Sequence, residues 1–311
     1  MRRSVTPADL ARAVMAVPPF ARDAVGDMND AANGAVIRHL EAGGVSTILY
    51  GGNALVHHWP MSSYADWLDR LAALAAADTW LLPSVGPDGG KLVDQAEVLK
   101  SRSFPVALLL PMGPPLTRDG VMTALRDFHA TSRVQLLVYI KTDGYFPAED
   151  LGKLCAEGVV FGVKYAVPRS GAARDAYLDA IIAEIGADRV ISGFGEPPAI
   201  PHLVDYGLAG FTAGCVCIAP ALSMAILHAL QMSNPERAEA LLQSLLPLEA
   251  LRGEINEIRV LHEAIRQSGI ADTGMIIAPS SPIPDADRAR VKAAATSLLE
   301  AEKTFRAAQA A

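Results

Sequence analysis

Cysteine is scarce in this chain, with 3 residues in 311, at Cys155, Cys215 and Cys217. That is too few, and too unevenly spaced, for a disulfide framework, so the fold has to be held by its core. Cys215-x-Cys217 has no second cysteine pair to complete a zinc site and reads better as two small buried hydrophobes. Positive charge is also in deficit: 27 basic residues face 34 acidic ones, a net charge of −7. With no run of Lys or Arg either, this excludes a protein dominated by nucleic-acid or anionic-membrane binding. Long hydrophobic runs are missing as well. Mean hydropathy is +0.24, yet the longest apolar stretches, such as VALLLP and VVFGV, fall far short of the roughly 20 residues of a membrane helix. The opening MRRSVTPADL lacks the apolar stretch and small-residue cleavage site of a secretory signal, so a cytoplasmic protein is expected.

What is present is apolar material cut into short pieces. Hydrophobic residues make up 51% and charged residues 20%, enough for a large core. The length suits one large barrel or two ordinary domains. Unbroken apolar segments recur at 13–17, 45–50, 79–85, 104–110, 134–140, 159–164, 189–194 and 209–214. Continuous rather than alternating apolar runs are expected of strands covered on both faces by crossover helices. Amphipathic segments at 31–42, 62–77, 90–101, 117–131, 147–156, 171–185, 197–206 and 219–231 follow the strands in turn. Eight such units predict a (β/α)₈ barrel over residues 1–231. A doubly wound sheet would want a glycine fingerprint after its first strand, and none is there. Residues 232–311 hold no strand candidate and are expected as a C-terminal helical extension packed on the barrel, of helices from 235, from 248 to 269, and from about 285.

In such a barrel, chemistry is sought at the C-terminal ends of the strands. Lys164, in VVFGVKYAV, is flanked by apolar residues at one such end. It either reaches its head along its stem into water or loses its charge and becomes an amine nucleophile for carbonyl carbon. Tyr139 ends the preceding strand and faces the same mouth, where a phenol can shuttle protons or simply bond a backbone carbonyl. Gly51, Gly52 and Asn53 follow the second strand; consecutive glycines make turns, and also let backbone N–H groups approach a carboxylate. Gly195 and Glu196 follow the seventh strand, where Glu196 would bind a substrate hydroxyl or cap the next helix. His57 and His58 are adjacent and cannot face one way on a helix, which argues against a metal clamp. The strand ends offer Glu196 alone as a carboxylate, so no metal is expected. The charged tail helices are expected to present solvated faces.

Taken together, the segments PPFARDAVGDMN, EAGGVSTILYGGNA, LLLPMGPPLTRDGV, LLVYI, GVVFGVKYA and YGLAGFTAGCVCIAPAL resemble the dihydrodipicolinate synthase / N-acetylneuraminate lyase family of class I aldolases, over about residues 10–230. The tyrosine of LLVYI paired with the lysine of GVKYA is its most specific element. The resemblance implies a lyase, an aldolase or dehydratase, acting on a 2-oxo acid such as pyruvate or a sugar-derived oxo acid. Lys164 would form the Schiff base with no other cofactor, Tyr139 would carry protons, and Gly51 and Gly52 would hold the carboxylate. It further implies a homodimer or homotetramer. The chain departs from the family at three places. Tyr50-Gly51-Gly52-Asn53-Ala54 stands where the family has Gly-Thr-Thr-Gly-Glu or Gly-Ser-Thr-Gly-Glu, which removes a relay hydroxyl. Met112-Gly113-Pro114 replaces a second tyrosine, and Ile140-Lys141-Thr142-Asp143-Gly144 lacks the arginine that clamps a substrate carboxylate. These departures keep a second expectation alive, a non-catalytic protein that binds a small carboxylate on the same fold.

Overall fold

The computed structural model describes residues 1–169 and 174–310. Its strands are β1 (Met15–Ala16), β2 (Thr47–Leu49), β3 (Trp80–Leu82), β4 (Ser84–Val85), β5 (Val106–Leu109), β6 (Gln135–Ile140), β7 (Val160–Tyr165), β8 (Val190–Ser192) and β9 (Gly210–Ala213). They pair in parallel in the order β3-β2-β1-β9-β8-β7-β6-β5-β4. The two ends of that order are halves of one strand, interrupted at Pro83, whose ring nitrogen has no proton to donate to the ladder. The Pro83 carbonyl still accepts from Leu108 N at 2.8 Å. The sheet is therefore a closed eight-stranded barrel, and each predicted apolar run overlaps one of its strands, with β7 reaching one residue past its run to Tyr165.

Helices α1 (Asp30–Ala42), α2 (Met61–Leu74), α3 (Gly89–Leu99), α4 (Arg118–Ser132), α5 (Ala148–Ala156), α6 (Ala176–Ile185), α7 (Glu196–Tyr206) and α8 (Pro220–Gln231) cover the barrel. Their starts are marked in the sequence: Asn29, Asp88, Thr117 and Asp175 each accept backbone N–H groups of the first turn. The predicted segment 171–185 starts earlier than α6, and its first three residues lie outside the described ones. Inside the barrel, Leu49, Trp80, Leu82, Leu108, Leu137 and Phe161 form a closed apolar cluster with Tyr139 packed on it. The larger core lies between strands and helices.

One irregularity sets the position of Lys164. The register of β6 against β7 shifts between Leu136, opposite Val160, and Leu137, opposite Gly162, so Phe161 is an extra residue. Residues three apart on a regular strand point to opposite faces. The bulge changes that parity, so Phe161 packs inside the barrel while Lys164 also opens into its mouth. Gly162 makes it feasible, because a Cβ there would lie 2.3 Å from the Arg189 carbonyl oxygen.

The tail folds as α9 (Pro235–Leu242), α10 (Leu246–Glu254), α11 (Glu257–Ser268) and α12 (Asp285–Ala310). The single helix expected over 248–269 is two. Asn256 breaks it, its side chain accepting from Ile258 N at 3.2 Å and Arg259 N at 3.0 Å to start α11 afresh. α12 is fastened to the barrel by Glu302, a buried carboxylate that accepts the N–H groups of Ala221 and Leu222, each at 3.0 Å. Among the described residues, no helix is long and apolar enough to cross a membrane.

Candidate functional site

A cavity of about 550 Å³ opens at the C-terminal ends of the strands. Lys164, from the end of β7, is buried in its wall with 4% of its surface exposed. Its Nζ donates to the Gly193 carbonyl at 2.9 Å and stands 3.7 Å from the centre of the Tyr139 ring. Burial pushes the Lys164 ammonium down to about 7; the nearby positive charge of Lys141 adds to the drop, and Glu257 opposes it. At neutral pH a large fraction of this side chain is the free amine. Lys164 is buried rather than extended into bulk water, and among the described residues it has no carboxylate within ion-pair distance.

Tyr139 sits opposite Lys164 in the β6–β7 register. Burial raises the pKa of its phenol, helped by Glu257, so the hydroxyl keeps its proton. Among the described residues that hydroxyl has no hydrogen-bond partner, whereas a purely structural tyrosine is expected to bond a backbone carbonyl. Lys141, two residues on, also borders the cavity and lies 3.9 Å from Glu257.

The glycine loop after β2 is divided. Gly52 and Asn53 line the cavity, while Gly51 is buried behind it, its Cα hydrogen facing Ser84 and Leu108. Among the described residues the N–H groups of Gly51, Gly52 and Asn53 donate to no protein acceptor, while the Gly51 and Gly52 carbonyls close the turn by accepting from Ala54, Val56 and Leu55. Successive free N–H groups in a turn suit an anion. The Asn53 side chain is used structurally, donating to the Val17 carbonyl at 2.7 Å. His57 borders the cavity too, and burial lowers it to about 4, so it is neutral across the physiological range. His58 is exposed outside the cavity.

Gly195 lines the cavity with φ +88, a conformation that favours glycine, and heads α7. Glu196 does not line it. Its side chain is fully buried below the mouth, where one oxygen accepts from Ser223 Oγ at 2.7 Å and the other has no partner. Burial and the neighbouring Glu249 raise its pKa to about 8, so it is largely protonated at neutral pH. A group in that place neither meets a substrate in this cavity nor stands at the N-cap position, which Gly195 occupies.

Five lining residues come from a part of the chain the barrel pattern did not point to, the tail: Glu249, Arg252, Gly253, Glu257 and Ile258. Arg252 is buried, not on a solvated face, and pairs with Glu249 at 2.5 Å. A signal for it was available, since Arg252 falls on the same helical stripe as Leu248, Leu251 and Ile255. Asp143 is turned away, bonded to Arg169. Cys215 and Cys217 lie in a short 3₁₀ turn, both buried as free thiols. Among the described residues, no three His, Cys, Asp or Glu side chains gather as metal ligands.

No protein-family model matches the sequence, and no curated protein matches it either. Solved structures do match the fold. The dihydrodipicolinate synthase of Bacillus clausii is 20% identical, with a TM-score of 0.80 over 95% of this chain and 99% of that one. That of Agrobacterium tumefaciens is 20% identical, with a TM-score of 0.81 over 94% and 99%. A sialic acid aldolase from Ruminococcus gnavus, solved as a catalytic lysine mutant, is 13% identical, with a TM-score of 0.81 over 97% and 100%. At these identities the likeness is one of fold, and it extends through the helical tail.

Proposed function

We propose that this chain is a divergent member of the dihydrodipicolinate synthase / N-acetylneuraminate lyase family, acting as a Schiff-base-forming lyase on a 2-oxo acid. The observation that carries this reading is the buried, partner-poor amine of Lys164 against Tyr139 in the barrel mouth. The shared fold of aldolases and synthases supports it. In this reading residues 1–231 are the catalytic barrel and residues 232–311 an extension that lends it part of one wall.

The free amine of Lys164 attacks C2 of the oxo acid, and the proton the nitrogen then sheds passes to the carbonyl oxygen to give a carbinolamine. A second proton, from Tyr139, lets that oxygen leave as water, so a protonated imine and the tyrosinate remain. The Gly193 carbonyl accepts one N–H of the amine and holds the nitrogen at the cavity wall. The protonated imine draws electrons from a bond at C3. Loss of the C3 proton gives an enamine that can expel a C4 oxygen. Cleavage of the C3–C4 bond instead, with loss of the C4 hydroxyl proton, releases an aldehyde. The N–H groups of Gly52 and Asn53, with Gly51 behind them, hold the substrate carboxylate. No cofactor beyond the covalent imine enters these steps. The same reading carries a homodimer or homotetramer of a cytoplasmic enzyme, which light scattering after size exclusion would test for assembly.

Incubation with pyruvate or longer 2-oxo acids and borohydride, followed by peptide mass spectrometry, tests the chemistry. The expected result is a reduced adduct on Lys164, absent in Lys164→Ala. No adduct with any oxo acid would sink the imine reading. Stabilisation by oxo acids that persists in Lys164→Ala, without turnover in the unaltered protein, would leave a carboxylate-binding protein instead.

A further inference from the structure

Part of the cavity wall is built by the tail, and one of its members keeps a hydrogen-bond donor free. Arg252 of α10 is 9% exposed. Its Nε donates to the Glu257 carbonyl at 3.2 Å and its Nη1 to Glu249 Oε1 at 2.5 Å. Among the described residues its Nη2 donates to no protein acceptor and is not one of the fully buried unpaired atoms, so its N–H groups are open to a group in the cavity. The barrel makes room for this head group. Gly214, just past β9, has φ −97, a conformation any residue adopts, yet a Cβ there would fall 2.5 Å from Nη2 and 2.6 Å from Cζ. The guanidinium therefore lies flat on a glycine at the end of a barrel strand, in the cavity that holds Lys164.

We propose that the Glu249–Arg252 pair of α10 determines substrate specificity by reading a hydroxyl on the part of the oxo acid distant from its reacting carbonyl. The assignment rests on the lyase reading above for the identity of the reacting end. A hydroxyl fits this pair better than a second carboxylate does. It accepts from the free Nη2 while donating to Glu249, whose carboxylate already neutralises the arginine and repels another anion. An aliphatic tail fits worst, since it would displace water from the free Nη2 and from Glu249 and offer no hydrogen bond in its place.

Calorimetric binding of three six-carbon acids tests this: 2-oxo-3-deoxygluconate, 2-oxohexanoate and 2-oxoadipate. The unaltered protein is expected to bind the hydroxylated acid about tenfold more tightly than either of the others. Glu249→Gln and Arg252→Lys, each checked for a cooperative thermal transition, are expected to bring that ratio close to one. If Arg252→Lys does not fold, the near-isosteric Glu249→Gln carries the test. A ratio near one in the unaltered protein, tighter binding of 2-oxoadipate, or a preference that survives in the folded variants would overturn the assignment. Because calorimetry needs no imine, an absent borohydride adduct would count against the lyase reading alone.

Discussion

The Nζ of Lys164 lies 3.7 Å from the centre of the Tyr139 ring, and the two residues face each other across β6 and β7. The contact sets two tendencies against each other. A ring face attracts a cation, by roughly 0.5–2 kcal/mol. Burial opposes the cation and, with the nearby charge of Lys141, lowers the ammonium to about 7. The nitrogen sits over the ring face while the hydroxyl lies in the ring plane. A proton passing between them therefore travels through a third atom, and the oxygen leaving C2 of a bound oxo acid is suited to that relay.

The pH dependence of imine formation follows from the amine. Only the neutral form attacks, so the trapping rate should rise about tenfold per pH unit below about 7 and level off above it. Lys141 depresses the ammonium and Glu257 raises it. Lys141→Gln should move the midpoint to higher pH, and Glu257→Gln to lower pH. Cyanoborohydride trapping between about pH 5 and 9 reads all three curves. A midpoint near that of an ordinary lysine would remove the electrostatic basis of the mechanism.

Tyr139→Phe keeps the ring against Lys164 and removes the hydroxyl alone. If Tyr139 is the proton carrier, adduct formation should slow by about 10²-fold while the final yield at long times is retained. A variant that traps at the original rate would assign Tyr139 to packing. Because the hydroxyl has no partner among the described residues, little loss of stability is expected, and a thermal melt would separate this effect from misfolding.

Much of the barrel was legible because parallel strands buried on both faces leave unbroken apolar runs between helix caps. Lys164 and Tyr139 were legible for the same reason, as the polar residues at the ends of two such runs. Pro83 hid a split strand inside one run, and Asn256 hid a helix start inside an otherwise periodic segment. Glu196 stood near enough to a strand end to suggest the mouth. Its side chain turns down to Ser223, a partner 27 residues away that local spacing does not indicate. The division of labour between Gly51 and Gly52 depends on which side of the turn faces the cavity, and the bulge at Phe161 depends on β6 and Arg189. Neither is a property of one segment. Arg252 was readable as a charge on an apolar stripe, but its meaning required knowing that the stripe closes over the barrel.

Gly162 is the residue on which the bulge depends. Gly162→Ala would press a methyl against the Arg189 carbonyl, at 2.3 Å before relaxation, and force β7 and the segment entering β8 apart. Overpacking of this kind costs about 1–3 kcal/mol. The expected outcome is a lower melting temperature together with slower trapping at Lys164, since the displaced strand carries the lysine. Loss of stability with trapping unchanged would show that the lysine is positioned independently of the bulge.

The same burial that frees the amine destabilises the fold. The lysine titrates near 7 folded against 10.5 in its ordinary state. Between those values the unfolded chain binds more protons than the native one, so this group makes stability rise with pH across that window, and its cost is present in full below about 7. Lys164→Met replaces the ammonium by an apolar group of similar length and removes the titration. It should raise stability by a few kcal/mol at pH 6, and the advantage should shrink as pH rises from about 7 towards 10. Urea denaturation of both proteins at several pH values measures this difference. A variant less stable than the parent at pH 6 would mean that the lysine is satisfied in its pocket and that its amine is not the free base the mechanism requires.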